Sequence, residues 1–176
     1  MAQISVKESL FMLGICLLFA GLLLTLNGVN YFAKFDGKIL GIVNLTGASI
    51  LFLIAVIGSV TADAIELYAA AAASFVFAMN FIIIGLHYII AKEWRLFGWF
   101  ALFGAVFCIA FGLQAIIVSS WLFVFLWFMW AELWAVCFLD SAANIKWASK
   151  FTPFNLIINA VLSTGVPAIL FLLGVI

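Results

Sequence analysis

Six long apolar runs, separated by short polar breaks, organise this chain from one end to the other. A helix needs about 20 apolar residues to cross about 30 Å of hydrocarbon. Runs of that kind fall at about 9–32, 39–60, 64–91, 96–118, 120–143 and 153–175. The breaks hold most of the charge, as in Lys34-Phe35-Asp36-Gly37-Lys38, Lys92-Glu93-Trp94-Arg95 and the stretch from Asp140 to Lys150. None of the runs alternates as a barrel strand does, and in lipid each backbone polar group must bond within its own segment. The pattern therefore predicts an all-α membrane protein: one six-helix transmembrane bundle over residues 1–176, built of antiparallel hairpins.

Composition narrows the function classes. With 69% hydrophobic and 8% charged residues in 176, the chain has too little polar surface to solvate a domain in water. Net charge is zero and the seven basic residues form no cluster, which gives nucleic acid no footing. Cys16, Cys108 and Cys137 lie inside apolar runs without a C-x-x-C pair or a His neighbour, so they read as packing residues. One His and scattered carboxylates assemble no metal site, and no Ser/His or paired-carboxylate constellation suggests an enzyme. No cofactor is expected.

Orientation follows from the basic residues. Lys34, Lys38, Lys92, Arg95, Lys146 and Lys150 fall in the first, third and fifth breaks, and only Lys7 lies opposite. Such loops stay in the cytoplasm, which puts both termini outside. A cleavable leader ending near Ala33 is disfavoured, because Asn27-Gly28-Val29-Asn30-Tyr31 makes a poor small-residue cleavage site. Trp94, Trp99, Trp121 and Trp147 lie near run ends and read as interfacial anchors.

Polar residues inside the runs must face protein, water or a solute. They are Asn27, Asn44, Asn80, Gln114, Glu132, Asn155 and Asn159. Gly28 and Gly47 flank Asn27 and Asn44, so these two amides read as glue between close helices, worth about 0.6 kcal/mol each. In the fifth run, at about 100° per residue, Phe123, Trp127, Trp130 and Trp134 fall within about 60° and form one stripe. Such a stripe either fills a core or lines a lumen; three interior indole N–H groups needing partners favour the lumen. Glu132 projects from the opposite face near mid-run, where an ionised carboxylate costs about 2.5–3.5 kcal/mol. It is expected as a buried acid, protonated or paired, and reads either as the titrating group of a proton-linked site or as a helix or subunit contact; its position away from the stripe favours the contact. His87 lies too close to the cytoplasmic end of the third run to reach it.

Several motifs occur together in order. The first run holds Met12-Leu13-Gly14 with Leu17, Leu18, Gly21 and Asn27-Gly28, and the second Asn44 with Gly47. Phe77 and Phe81 follow, then Glu93-Trp94-Arg95 with Trp99, Trp127-x-x-Trp130-x-x-Leu133-Trp134, and Lys150-Phe151-Thr152-Pro153 with Pro167. In this ordered set the chain resembles the AmiS/UreI family of urea and short-chain amide channels. The resemblance implies a pore through each six-helix protomer, assembly as a ring (a homo-hexamer in the urea-channel members) and a bacterial inner membrane. Matched position by position, it implies a path lined by Leu13, Leu17, Leu24, Phe77, Phe81, Phe123, Trp127, Trp130, Leu133, Trp134 and Asn159.

The chain departs from that family at three places. Asn159 stands where urea-channel members carry Glu. Phe81 and Phe123 replace a Tyr and a Trp, removing polar tips. The outward breaks near 61–63 and 119 contain no His, whereas acid-gated members have long outward loops rich in His and acidic residues. With nothing there titrating between about pH 5 and 8, acid gating is not expected. The expected function is passive permeation of urea or a short-chain amide. The alternatives are a proton-coupled transporter using Glu132, or a scaffold that packs partners on Ala69 to Ala73.

Overall fold

The computed structural model describes residues 6–61, 65–90 and 93–175. Residues 62–64, the end of the third run at 91, and Lys92 lie outside them, as do the side chains of Lys7 and Ala70. Among the described residues, six helical stretches are long and apolar enough to cross a membrane. They are α1 (Val6–Ala33), α2 (Gly37–Thr61), α3 (Ile65–Ile89), α4 (Arg95–Ile117), α5 (Trp121–Ser141) and a composite sixth span. That last span runs from α6 (Lys146–Asn159) through a π-helical turn (Ala160–Gly165) into α7 (Val166–Leu172).

The connections are short and chemically specified. Asp36 Oδ1 accepts the Ile39 N–H at 2.9 Å and closes the start of α2, as a capping carboxylate does. Lys34, Ser119 and Asn144 take positive φ values of 54°, 56° and 56° to reverse the chain between spans. Ser149 Oγ bonds Asp140 Oδ1 at 2.5 Å and ties the end of α5 to α6.

The sixth span starts at Lys146, seven residues ahead of the apolar run, because Pro153 sits inside α6 rather than at its beginning. The proline withholds one N–H, from the Ser149 carbonyl, and a membrane helix absorbs such a gap where a neighbour packs against it. Gly28 of α1 is that neighbour: a Cβ there would lie 3.1 Å from the Pro153 carbonyl oxygen. Further on, the Ser163 and Thr164 hydroxyls bond the carbonyls of Asn159 and Ala160 at 2.8 and 2.7 Å. Hydroxyls that occupy carbonyls of the preceding turn compete with the α-helical ladder, and the helix widens there into its π turn.

The spans form two tight hairpins linked by α1 and the sixth span. α2 and α3 touch backbone to backbone, since a Cβ on Gly41 or on Gly85 would stand 2.8 Å from the other's carbonyl oxygen. α4 and α5 form the second hairpin. α1 packs on α2 and along the sixth span, and its Asn27 exchanges amide hydrogen bonds with Asn44 of α2 at 2.8 and 3.3 Å. Among the described residues α2 touches only α1 and α3, and it lies outside the ring made by the other spans. Inside that ring α3 and α4 barely meet, and α3 and α5 make no backbone contact. Side chains bridge the gap, Phe77 of α3 meeting Trp130 and Trp134 of α5.

Candidate permeation path

Two cavities enter the bundle from its two ends. The first opens at the end bearing the basic breaks, holds about 290 Å³, and is lined by Leu24, Phe77, Phe81, Leu133 and Trp134 beneath a polar mouth. Tyr31, Tyr88, Asp140, Ser149 and Thr152 supply that mouth. The second opens at the opposite end, where α1 begins and α7 ends, holds about 110 Å³, and is lined by Leu13, Phe123, Trp127 and Trp130 with Gln114 and Ser120. Nine of the eleven residues the resemblance implied thus line one cavity or the other.

The stripe on α5 runs unbroken through both cavities. Phe123, Trp127 and Trp130 border the second, and Trp134, Cys137 and Ser141 continue it in steps of three and four along the first. Opposite them, Phe77, Asn80, Phe81, Ile84 and Tyr88 of α3 make a matching face with the same steps. That face was legible as a helical stripe, yet only its two Phe residues and Asn80 drew attention in the sequence.

Between the cavities the rings meet. Phe77 stands edge-on to Trp130, centroids 5.1 Å apart at 87°, and lies 6.0 Å from Trp134. Trp127 is edge-on to Trp130 at 5.1 Å and packs on Phe111 at 5.2 Å. Leu17, midway along α1 between Leu13 of one cavity and Leu24 of the other, is buried at this level and lines neither. Phe77 of the first cavity's wall thus rests on Trp130 of the second's.

The indole N–H groups of Trp130 and Trp134 are buried and have no hydrogen-bond partner. A buried donor left unmade costs about 1–3 kcal/mol. Trp134 lines the first cavity and Trp130 the second, so each cavity has one of these rings in its wall.

Asn159 departs from expectation. It is fully buried and lines neither cavity. Its Nδ2 lies 3.0 Å from Asn155 Oδ1 and 3.4 Å from Glu132 Oε2, while its Oδ1 accepts the Ser163 hydroxyl at 2.9 Å. Asn155, Asn159 and Ser163 follow one another at steps of four on one face, so the face that meets α5 at Glu132 cannot also meet the Trp stripe across that helix. Glu132 is not the buried acid expected: it is exposed on the outside of the bundle and lines neither cavity, because its face of α5 is the one opposite the Trp stripe.

A sequence match to the family described as "AmiS/UreI family transporter" spans residues 12–175. The chain belongs to the AmiS/UreI family. The family is one of membrane transporters, and this member is a multi-pass membrane protein and not an enzyme. Among its relatives is the acid-activated urea channel of Helicobacter pylori strain 26695, 25% identical over 89% of this chain and 95% of the relative. Another is the putative transporter protein AmiS2 of Rhodococcus erythropolis, 25% identical over 90% of this chain and 78% of the relative. In fold the chain is similar to the H. pylori urea channel solved in its closed state by cryo-electron microscopy, with a TM-score of 0.81 at 22% identity. That likeness covers 92% of this chain and 97% of the other. A crystal structure of the same channel gives a TM-score of 0.78 over 92% and 98% of the two chains.

Proposed function

We propose that this AmiS/UreI member is a passive channel for small, flat, neutral solutes, urea or a short-chain amide, which cross each protomer between the two cavities. The observation that carries the reading is the pair of buried, unpartnered indole donors, Trp130 Nε1 and Trp134 Nε1, on adjoining rings of the stripe that line one cavity each. A planar amide slides between ring faces while its carbonyl takes those donors in turn. Asn80, on the wall of the larger cavity, offers both a donor and an acceptor to the amide edge. Ions are refused because an aromatic constriction replaces none of their hydration.

Passage requires the Phe77 and Trp130 rings to part. One edge-on aromatic contact is worth about 0.5–1.5 kcal/mol, so thermal motion of the rings opens it without a separate trigger. The reading includes a basic end facing the cytoplasm, a bacterial inner membrane, a homo-hexameric ring, and flux independent of external pH. Relatives named for urea and for an Ami-type transporter support the substrate class. Stopped-flow swelling of proteoliposomes with urea, acetamide, propionamide and glycerol tests it: the amides should enter faster than through empty liposomes, with equal rates at pH 5 and pH 7.5. Equal permeability of empty and loaded vesicles refutes the channel; sharp acid activation refutes the ungated pore.

A further inference from the structure

The outer surface of the protomer carries a carboxyl group where lipid would lie. Glu132 is exposed on α5, nine residues short of the helix end at Ser141, about 14 Å of rise into the membrane. The Asn155 and Asn159 amides reach it from the sixth span, yet the residue remains exposed. Hydrocarbon is a poor cover for it. Phe125 and Phe128, also exposed, precede it in steps of three and four, so the three side chains form one outward seam.

A second exposed seam has the complementary chemistry. On α2, Thr46, Ser49 and Leu53 are exposed in the same steps, and among the described residues α2 has only α1 and α3 as neighbours. The Thr46 hydroxyl donates to the Ile42 carbonyl and the Ser49 hydroxyl to the Leu45 carbonyl, both at 2.9 Å. Each oxygen keeps lone pairs that can accept from a protonated carboxyl, and each hydroxyl can rotate to donate to an ionised one. Thr46 stands nine residues from the α2 start at Gly37, and α2 begins on the side of the membrane where α5 ends. Thr46 and Glu132 therefore lie at the same depth.

We infer that α2 of one copy packs antiparallel on α5 of the next, with the Thr46 hydroxyl bonded to the Glu132 carboxyl. The register follows from the two seams: Thr46 opposite Glu132, Ser49 opposite Phe128, Leu53 opposite Phe125. It sets Thr46 and Ser49 against the larger Glu132 and Phe128, and both steps match on the two helices. Because α2 and α5 do not touch within a protomer, the contact is between unlike faces, and repeated contacts of that kind close into a ring. The inference rests on the proposed homo-oligomer and says which surfaces build it.

Cysteine cross-linking of full-length protein in liposomes tests the seam. A Leu53→Cys/Phe125→Cys chain treated with a short bifunctional maleimide should give a ladder of covalent multimers. Either single variant should give no more than the wild type, whose Cys16, Cys108 and Cys137 are buried. Dimers from a single variant overturn the unlike-face contact. No ladder from the double variant, with a native-size oligomer in mass spectrometry from nanodiscs, overturns this seam and leaves the oligomer standing; a monomer there removes both. Glu132→Ala should shift the oligomer-to-monomer midpoint to about tenfold higher protein, while Glu132→Gln should hold it near wild type, as loss of one interhelical hydrogen bond in a membrane predicts. An unshifted midpoint in Glu132→Ala overturns the hydrogen bond.

Discussion

Phe77 of α3 meets Trp130 of α5 edge-on at 5.1 Å, and this one ring contact spans helices whose backbones do not pack on each other. The partition between the cavities therefore depends on side chains alone. Phe77→Ala should join the two cavities and raise urea and butyramide permeability by about three- to tenfold, the rate equivalent of one aromatic contact. Stopped-flow swelling at matched protein density measures it. Unchanged flux of both solutes would place the barrier elsewhere.

The donors at that partition can be separated from the rings that carry them. Trp130→Phe and Trp134→Phe keep an aromatic wall and delete the unpartnered N–H. If amides cross by taking those donors, each variant should lose about five- to thirtyfold of its urea flux, since a buried hydrogen bond is worth about 1–2 kcal/mol. Water permeability of the same vesicles should change much less, because a water molecule is satisfied by its own chain of neighbours. Parallel loss of both would mean a collapsed constriction.

Trp134 is held in place by what its neighbour lacks. A Cβ on Gly104 of α4 would lie 2.7 Å from Trp134 Cδ2, nearer than side chains approach. Gly104→Ala must therefore push the indole toward the first cavity, whose wall it forms. Urea flux should fall in Gly104→Ala and fall further in Gly104→Val, with both proteins still inserted and folded by protease resistance. Wild-type flux in Gly104→Val would remove Trp134 from the path.

Much of this arrangement was legible in the chain. Span number and type follow from run length and the backbone's need for internal partners in lipid, and the α5 stripe follows from helical period. What was not legible lies where two helices choose each other. The period puts Glu132 opposite the Trp stripe, but nothing in one sequence says that the amide of Asn159 turns to that carboxyl rather than to the lumen. The early start of the sixth span was hidden for a local reason: a proline reads as a break until Gly28 is seen packed against it.

Asn27 and Asn44 give a sign that can be checked. Each amide is buried and bonded to the other as well as to its own helix at Leu23 and Leu40. Asn27→Leu alone leaves Asn44 short of its partner inside the bundle, and the converse holds for Asn44→Leu. The double variant removes the demand along with the bond, so it should melt higher than the sum of the single losses predicts, with a coupling of about 0.6–1.7 kcal/mol. Thermal unfolding in detergent of all four proteins closes the cycle, and strict additivity would show that the amides do not depend on each other.

Asn159 decides between two roles that resemblance and geometry assign to it. As a path residue it would set flux; as placed, it joins Glu132, Asn155 and Ser163 and borders neither cavity. Asn159→Leu should then lower the melting temperature, because it strips partners from a buried amide and hydroxyl and from a carboxyl at mid-membrane. Urea flux per folded protein should stay within about twofold of wild type, since no interaction with the solute is removed. Asn159→Asp keeps Oδ1 but replaces the donor Nδ2 with a second carboxylate oxygen about 3.4 Å from Glu132, so it should destabilise at least as much at neutral pH and recover on acidification as one of the pair takes up a proton. A flux loss in Asn159→Leu with stability intact would return this residue to the path and turn the π-helical span about its axis.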